Sequence, residues 1–147
     1  MKLLLCLLIF VAGAGLSVQI GLNAAIRTAF GSSEMATLAN FLVGLVGLVV
    51  LMVVTRTALP DRAAFAAAPP WAWFGGLLGA FYVATAATVG PRIGAGPLLA
   101  LTVLGQLVAS LVIDQYGLLG FGREPLSPTR IVGALLLFAG VWLLTRR

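Results

Sequence analysis

The sequence contains no histidine, a single cysteine and only four acidic residues among its 147. Because Cys6 stands alone, an internal disulfide and a cysteine-based metal site are both excluded. The four acidic residues are widely separated, so ordinary metal binding and general acid–base catalysis have almost no side chains to use. We therefore expect no enzymatic activity, no catalytic residue, no bound metal and no cofactor.

Charge of either sign is scarce as well. Charged residues make up 9% of the chain and hydrophobic residues 61%, whereas a soluble domain has roughly 25% charged residues. Water could not solvate a surface of this composition, so the sequence predicts an integral membrane protein that has the lipid bilayer as a partner. The net charge of +5 does not indicate nucleic acid, because the basic residues are scattered singly and form no basic stripe.

Five apolar runs predict five transmembrane helices, and hence an all-α membrane protein, since about 20 residues are needed to cross the hydrocarbon core. We place these helices at approximately residues 3–25, 35–55, 71–89, 96–116 and 130–145, within one domain that covers residues 1–147. Residues 31–33 predict a helix stop followed by a helix cap, and residues 90–94 predict a tight turn. The start of the chain resembles a secretory signal, but its apolar run continues beyond the usual cleavage region, so we expect an uncleaved helix.

A polar stripe follows the fourth predicted helix at intervals of four residues, which places its members on one face. These members are Thr102, Gln106, Ser110 and Asp114. A carboxamide inside a membrane is costly unless it faces protein or water. The stripe therefore either bonds to a neighbouring helix or lines a path for a polar solute. The first predicted helix carries a comparable pair of carboxamides, Gln19 and Asn23, also four residues apart.

Basic residues are divided almost evenly between the two membrane faces that five helices would create. One face would carry Lys2, Arg56, Arg62, Arg123 and Arg130, and the other Arg27, Arg92, Arg146 and Arg147. An excess of Lys and Arg on one side normally fixes the orientation of a membrane protein. Near parity predicts insertion in both orientations, unless subtler features select one of them. Insertion both ways would allow an antiparallel homodimer, which is the architecture of an inverted-repeat transporter made from two chains.

Motifs of polar, glycine and aromatic residues extend along nearly the whole chain. In the first half they are Gln19-x3-Asn23-x3-Arg27-x3-Gly31-Ser32 and Asn40-Phe41-x2-Gly44. In the second half they are Trp71-x-Trp73-x-Gly75-Gly76-x2-Gly79-x2-Tyr82, Pro91-Arg92-x-Gly94, Gly105-Gln106 and Asp114-x2-Gly117. In combination they resemble the YdcZ-type family of small bacterial inner-membrane proteins in the drug/metabolite transporter superfamily. The chain departs from the family pattern at Asn40, where serine is usual, and at Glu34, where proline usually follows the serine.

The resemblance implies a fold and a class of activity. Larger members of the superfamily consist of two inverted five-helix halves, and this chain resembles one half of such a ten-helix transporter. In those proteins, helices one, three and four of each half line the central cavity. The resemblance therefore implies a multi-pass protein of the bacterial inner membrane that exports a small metabolite or drug as an antiparallel homodimer. The candidate residues along its substrate path are Gln19, Asn23, Tyr82, Thr85, Gln106 and Ser110.

The polar residues of the predicted path limit its chemistry. The first predicted helix has no acidic residue, and Asp114 lies near a helix end, where it could pair with Arg123 or Arg130. A proton-coupled acid at mid-membrane is therefore not expected, whereas carboxamides suit a neutral or zwitterionic polar solute because they both donate and accept hydrogen bonds. Arg27, Arg92 and Asp114 are possible charged contributors. A passive small-ion channel and an accessory subunit that needs a related partner chain are the alternative functions.

Overall fold

The computed structural model describes residues 2–146, and every regular element in that range is helical. A short 3-10 helix, Pro70–Trp73, leads directly into α4. The helices are α1 (Lys2–Phe30), α2 (Ser33–Thr55), α3 (Arg62–Ala67), α4 (Phe74–Ile93), α5 (Ala95–Tyr116) and α6 (Pro128–Thr145). Within the described range, five helical segments are long and apolar enough to cross a membrane, and α3 is not among them. The predicted all-α membrane fold with five spanning helices is therefore confirmed.

The connection between α1 and α2 ends one helix and begins the next within two residues. Helix α1 continues five residues beyond its predicted end, because residues 26–30 contain no glycine or proline that would interrupt it. Gly31 then adopts a left-handed conformation, with φ of 71°, and its N–H donates to the carbonyl of Arg27 at 2.8 Å. The Ser32 side chain caps α2 by accepting from the N–H of Met35 at 3.1 Å. The predicted stop and cap are confirmed.

The predicted tight turn over residues 90–94 is wrong. Helix α4 passes through Gly90 and Pro91 and ends only at Ile93. Proline has a φ that suits a helix, and its missing N–H removes one backbone hydrogen bond, the one to the carbonyl of Ala87, without ending α4. The break falls at Gly94, whose φ of 89° and ψ of 156° are essentially restricted to glycine. A single non-helical residue therefore joins α4 to α5.

The connection after α2 contains a short helix, α3. The Asp61 carboxylate caps α3 by accepting from the N–H of Ala64 at 2.7 Å. The Phe65 ring of α3 lies 4.9 Å from the Trp73 ring, measured between centroids. This aromatic pair ties α3 to the 3-10 helix that precedes α4.

The chain forms two compact units, one that ends at Arg92 and one that begins at Ile93. In the first unit, α1 packs on α2, and alanines of α2 and α4 are among the most deeply buried residues. Small residues allow membrane helices to approach closely where lipid provides no hydrophobic drive. In the second unit, α5 packs on α6, with Leu98 and Val141 buried. Large apolar side chains are exposed along the spanning helices of both units, as expected for helices that face lipid.

Candidate functional site

A cleft of about 510 Å³ in the first unit is lined by residues of α1, α2 and α4. Two half-buried carboxamides line it, Gln19 from α1 and Asn40 from α2. The rest of its wall is apolar and includes Phe41, Leu48 and Val83. We call this feature the amide cleft. It offers two groups that can each donate and accept hydrogen bonds inside an otherwise apolar surface.

The amide cleft lies well within the span of its helices. The Nε–H of Arg27 donates to Oγ of Ser33 at 2.8 Å, so these two residues mark one common level. Gln19 precedes Arg27 by eight residues and Asn40 follows Ser33 by seven, which correspond to roughly 12 and 10 Å along the helix axes. Both carboxamides therefore lie at least about 10 Å deeper than Arg27, in a hydrocarbon core about 30 Å thick.

A second cleft, also of about 510 Å³, lies between α2 and α4 and is almost wholly apolar. Phe41 lines this cleft and the amide cleft alike, so its ring stands between the two. The ring lies against Gly79 of α4, 3.6 Å from the point where a β-carbon would stand. A different rotamer of Phe41 would therefore change both clefts. The other lining residues of the second cleft are Glu34, Thr37, Leu38, Ala80, Phe81 and Ala84.

A chain of hydrogen bonds joins α1, α2 and α4 at the level of Arg27. Beyond its bond to Arg27, the Ser33 Oγ lies 2.6 Å from Oγ1 of Thr88 in α4. The Thr88 hydroxyl donates to the carbonyl of Ala84 at 2.9 Å. Either hydroxyl of the Ser33–Thr88 contact can be the donor, and the contacts extend from Arg27 to the carbonyl of Ala84. The hydroxyl of Thr37 is also used, since it donates to the Ser33 carbonyl at 2.7 Å.

Asn23 lies between the amide cleft and Arg27 along α1, and only 3% of it is exposed. Its Oδ1 atom is fully buried and accepts no hydrogen bond from any residue in the range 2–146. Buried polar atoms nearly always have a partner, and leaving one unpaired costs roughly 1–3 kcal/mol. The structure therefore contains an unmet hydrogen-bond acceptor at Asn23.

The other predicted path residues are less enclosed. In the first unit, Tyr82 is half-buried and Thr85 is exposed. In the second unit, Gln106 and Ser110 are both exposed on α5. The Ser110 hydroxyl donates to the carbonyl of Leu107 in its own helix at 2.9 Å, and within residues 2–146 the Gln106 carboxamide has no hydrogen bond to α6. Their place on a path shared with Gln19 and Asn23 stays a prediction.

Asp114 forms an ion pair at the connection between α5 and α6. Its Oδ2 lies 2.5 Å from Nη2 of Arg130, and the same guanidinium lies 3.6 Å from the carboxylate of Glu124. The pairing of Asp114 with an arginine, predicted from the sequence, is confirmed. Arg92, another predicted charged contributor, is exposed in the last turn of α4. Across residues 2–146, no cluster of three or more acidic, histidine or cysteine side chains is placed to hold a metal ion.

Sequence reasoning missed Asn40 and the hydroxyl groups of Ser33, Thr37 and Thr88. Asn40 did carry a signal, because it is a carboxamide within the apolar run of α2. The hydroxyls carried none, since serine and threonine in helices commonly bond to their own backbone. Thr37 and Thr88 both do so here, and only the packing of α2 on α4 brings Ser33 to Thr88.

Comparison with known proteins agrees with the fold and the motifs. The family described as "Putative inner membrane exporter, YdcZ" matches residues 4–143. Inner membrane protein YdcZ of Escherichia coli (strain K12) is 32% identical over 136 residues, which cover 92% of this chain and 91% of that protein. No solved structure matches the chain. The near end-to-end match and the five membrane-spanning helices together establish that the chain belongs to the YdcZ family and is a multi-pass protein of the inner membrane.

Proposed function

We propose that the chain exports a small polar solute, which binds in the amide cleft. The observation that carries this proposal is the presence of Gln19 and Asn40 in one cleft at membrane depth. No charged side chain lines the cleft, so recognition there would rest on hydrogen bonds to the two carboxamides. The description of the family as an inner-membrane exporter supports the same class of activity.

We infer that the functional unit is an antiparallel homodimer. The nearly even division of basic residues supports insertion in both orientations. The exposed Gln106 and Ser110 of α5 also support a partner, because polar side chains facing lipid are unfavourable unless another polar surface covers them. A second copy in the opposite orientation would supply both this surface and the missing half of a ten-helix transporter. The substrate path would then include Asn23, Tyr82 and Thr85.

Export by cells that express the chain tests the proposal. We compare extracellular polar metabolites from cells with the wild-type chain, with the double variant Gln19→Leu/Asn40→Leu, and with the control Thr55→Val. Thr55 is exposed near the end of α2, and its hydroxyl bonds only to its own helix and to Thr57. We expect at least one solute to accumulate outside cells with the wild-type chain and the control, but not with the double variant.

Three outcomes would contradict export through the amide cleft. Equal release by the double variant, at equal amounts of folded protein, would exclude the cleft as the binding site. Flux through purified protein in vesicles that rises without saturation would favour a passive channel. Activity that appears only when a related second chain is present would favour an accessory subunit.

A further inference from the structure

We propose that Asn23 and Arg27 form a two-point recognition site for a small carboxylate that also carries a hydrogen-bond donor, such as a hydroxy acid or an amino acid. The site names the class of solute for the proposed exporter and rests on that function. It lies on the face of α1 that also carries Gln19, between the polar end of the helix and the amide cleft.

The first recognition point is the unmet acceptor of Asn23. The hydroxyls of Thr37 and Thr88 donate to backbone carbonyls and Ser33 contacts Thr88, and none of the three bonds to Asn23. Within residues 2–146 no group donates to Asn23 Oδ1, which leaves this acceptor open to a donor on a bound solute.

The second recognition point is the outer edge of the Arg27 guanidinium. Its Nε is fixed by Ser33, which orients the group. Across residues 2–146, neither Nη atom of Arg27 makes a hydrogen bond or an ion pair. The nearby carboxylate of Glu34 accepts instead from the hydroxyl of Ser32 at 2.7 Å. Two parallel N–H groups on an oriented guanidinium match the geometry of a carboxylate.

The spacing and chemistry of the two recognition points limit the size and the functional groups of the ligand. Residues four apart on a helix have β-carbons roughly 5–6 Å apart, a distance that one small molecule can bridge. A cation alone would be repelled by Arg27, and a simple anion would leave Asn23 unpaired. A carboxylate that carries a hydroxyl or ammonium group satisfies both residues.

Binding of three related probes to the purified full-length protein tests the site. The probe 3-hydroxybutyrate carries both groups, butyrate lacks the hydroxyl, and 3-hydroxybutyramide lacks the charge. We expect 3-hydroxybutyrate to bind about tenfold more tightly than either of the others, since each lacks one interaction with a buried or charged group. This comparison uses only the wild-type chain, so it does not depend on whether any variant folds.

Two variants assign the preference to residues. Asn23→Leu should remove the preference for 3-hydroxybutyrate over butyrate while leaving butyrate binding unchanged. Arg27→Gln should remove the preference over 3-hydroxybutyramide. The control Thr28→Val should change neither preference, because Thr28 is exposed one position away and its hydroxyl bonds to its own helix.

The site is overturned if 3-hydroxybutyrate shows no saturable binding, if it binds no better than butyrate, or if Asn23→Leu weakens all three probes alike. Failure of export is a separate result. The expected binding preferences without transport in vesicles would overturn the proposed function and leave the site intact. Export of an uncharged solute at the same rate by wild type and Arg27→Gln would overturn the site and leave export intact.

Discussion

Breaking the Asp114–Arg130 ion pair should destabilise the second unit by about 2 kcal/mol. The side chains of Asp114 and Arg130 are 23% and 32% exposed. If the ion pair is broken, water therefore solvates the remaining charge only incompletely. The variant Asp114→Asn keeps the shape of the side chain but removes its charge. A hydrogen bond between charged groups contributes roughly 1.5–3 kcal/mol, and partial exposure keeps the cost below the 3–5 kcal/mol typical of a fully buried pair.

Glu124 provides a control for this prediction. Its carboxylate faces the same guanidinium at 3.6 Å, but its side chain is 75% exposed. Exposed ion pairs contribute roughly 0–1 kcal/mol, so Glu124→Gln should change stability by less than about 0.5 kcal/mol. Unfolding in mixed micelles, followed by helical circular dichroism, measures both variants. Exchanging the charges, Asp114→Arg with Arg130→Asp, should recover part of the lost stability. Equal costs for Asp114→Asn and Glu124→Gln would refute the assignment of the stabilisation to burial of the pair.

Three further predictions concern the break between α4 and α5, the polar stripe and the topology. Gly94→Ala should destabilise the protein by about 1–3 kcal/mol, because alanine is strained at a φ of 89°. The control Gly96→Ala should not, because its new methyl group meets open space. Equal midpoints of thermal unfolding for the two variants would contradict this prediction. Gln106→Leu should leave folding intact but lower export per folded molecule, and a destabilised variant with full export would contradict a role on the path. A cysteine at exposed Ala66, with Cys6→Ala, should be labelled by an impermeant reagent about equally from each side of the membrane; labelling from one side only would contradict dual insertion.

The parts of the fold that depend on local chemistry could be predicted from the sequence. Apolar length indicates a spanning helix whatever its neighbours are, and Gly31 and Ser32 encode a stop and a cap within two residues. Pro91 misled the prediction because a proline has a helical φ and does not by itself end a helix. Helix α4 continues through Pro91 to Ile93, and the break falls at Gly94.

The candidate site could be predicted only in part, because a sequence gives the face of one helix but not what packs against it. Spacing placed Gln19 and Asn23 on one face of α1, yet nothing local indicates that Asn40 lines the same cleft as Gln19. The sequence indicated that Asp114 could pair with either Arg123 or Arg130. The fold of the connection selects Arg130, since the Nε of Arg123 donates to the carbonyl of Gln115 at 3.2 Å.

Helices of unequal length have to share one bilayer in this protein. Helix α1 has 29 residues and α6 has 18, which correspond to roughly 43 and 27 Å against a hydrocarbon core of about 30 Å. A bilayer of lipids with longer acyl chains would match the length of α1 but would be thicker than α6 is long. A bilayer of shorter lipids would match α6, and α1 would then tilt further or project into the headgroups. Membrane thickness is therefore a variable that acts on the two helices in opposite directions, and no single lipid relieves the mismatch of both.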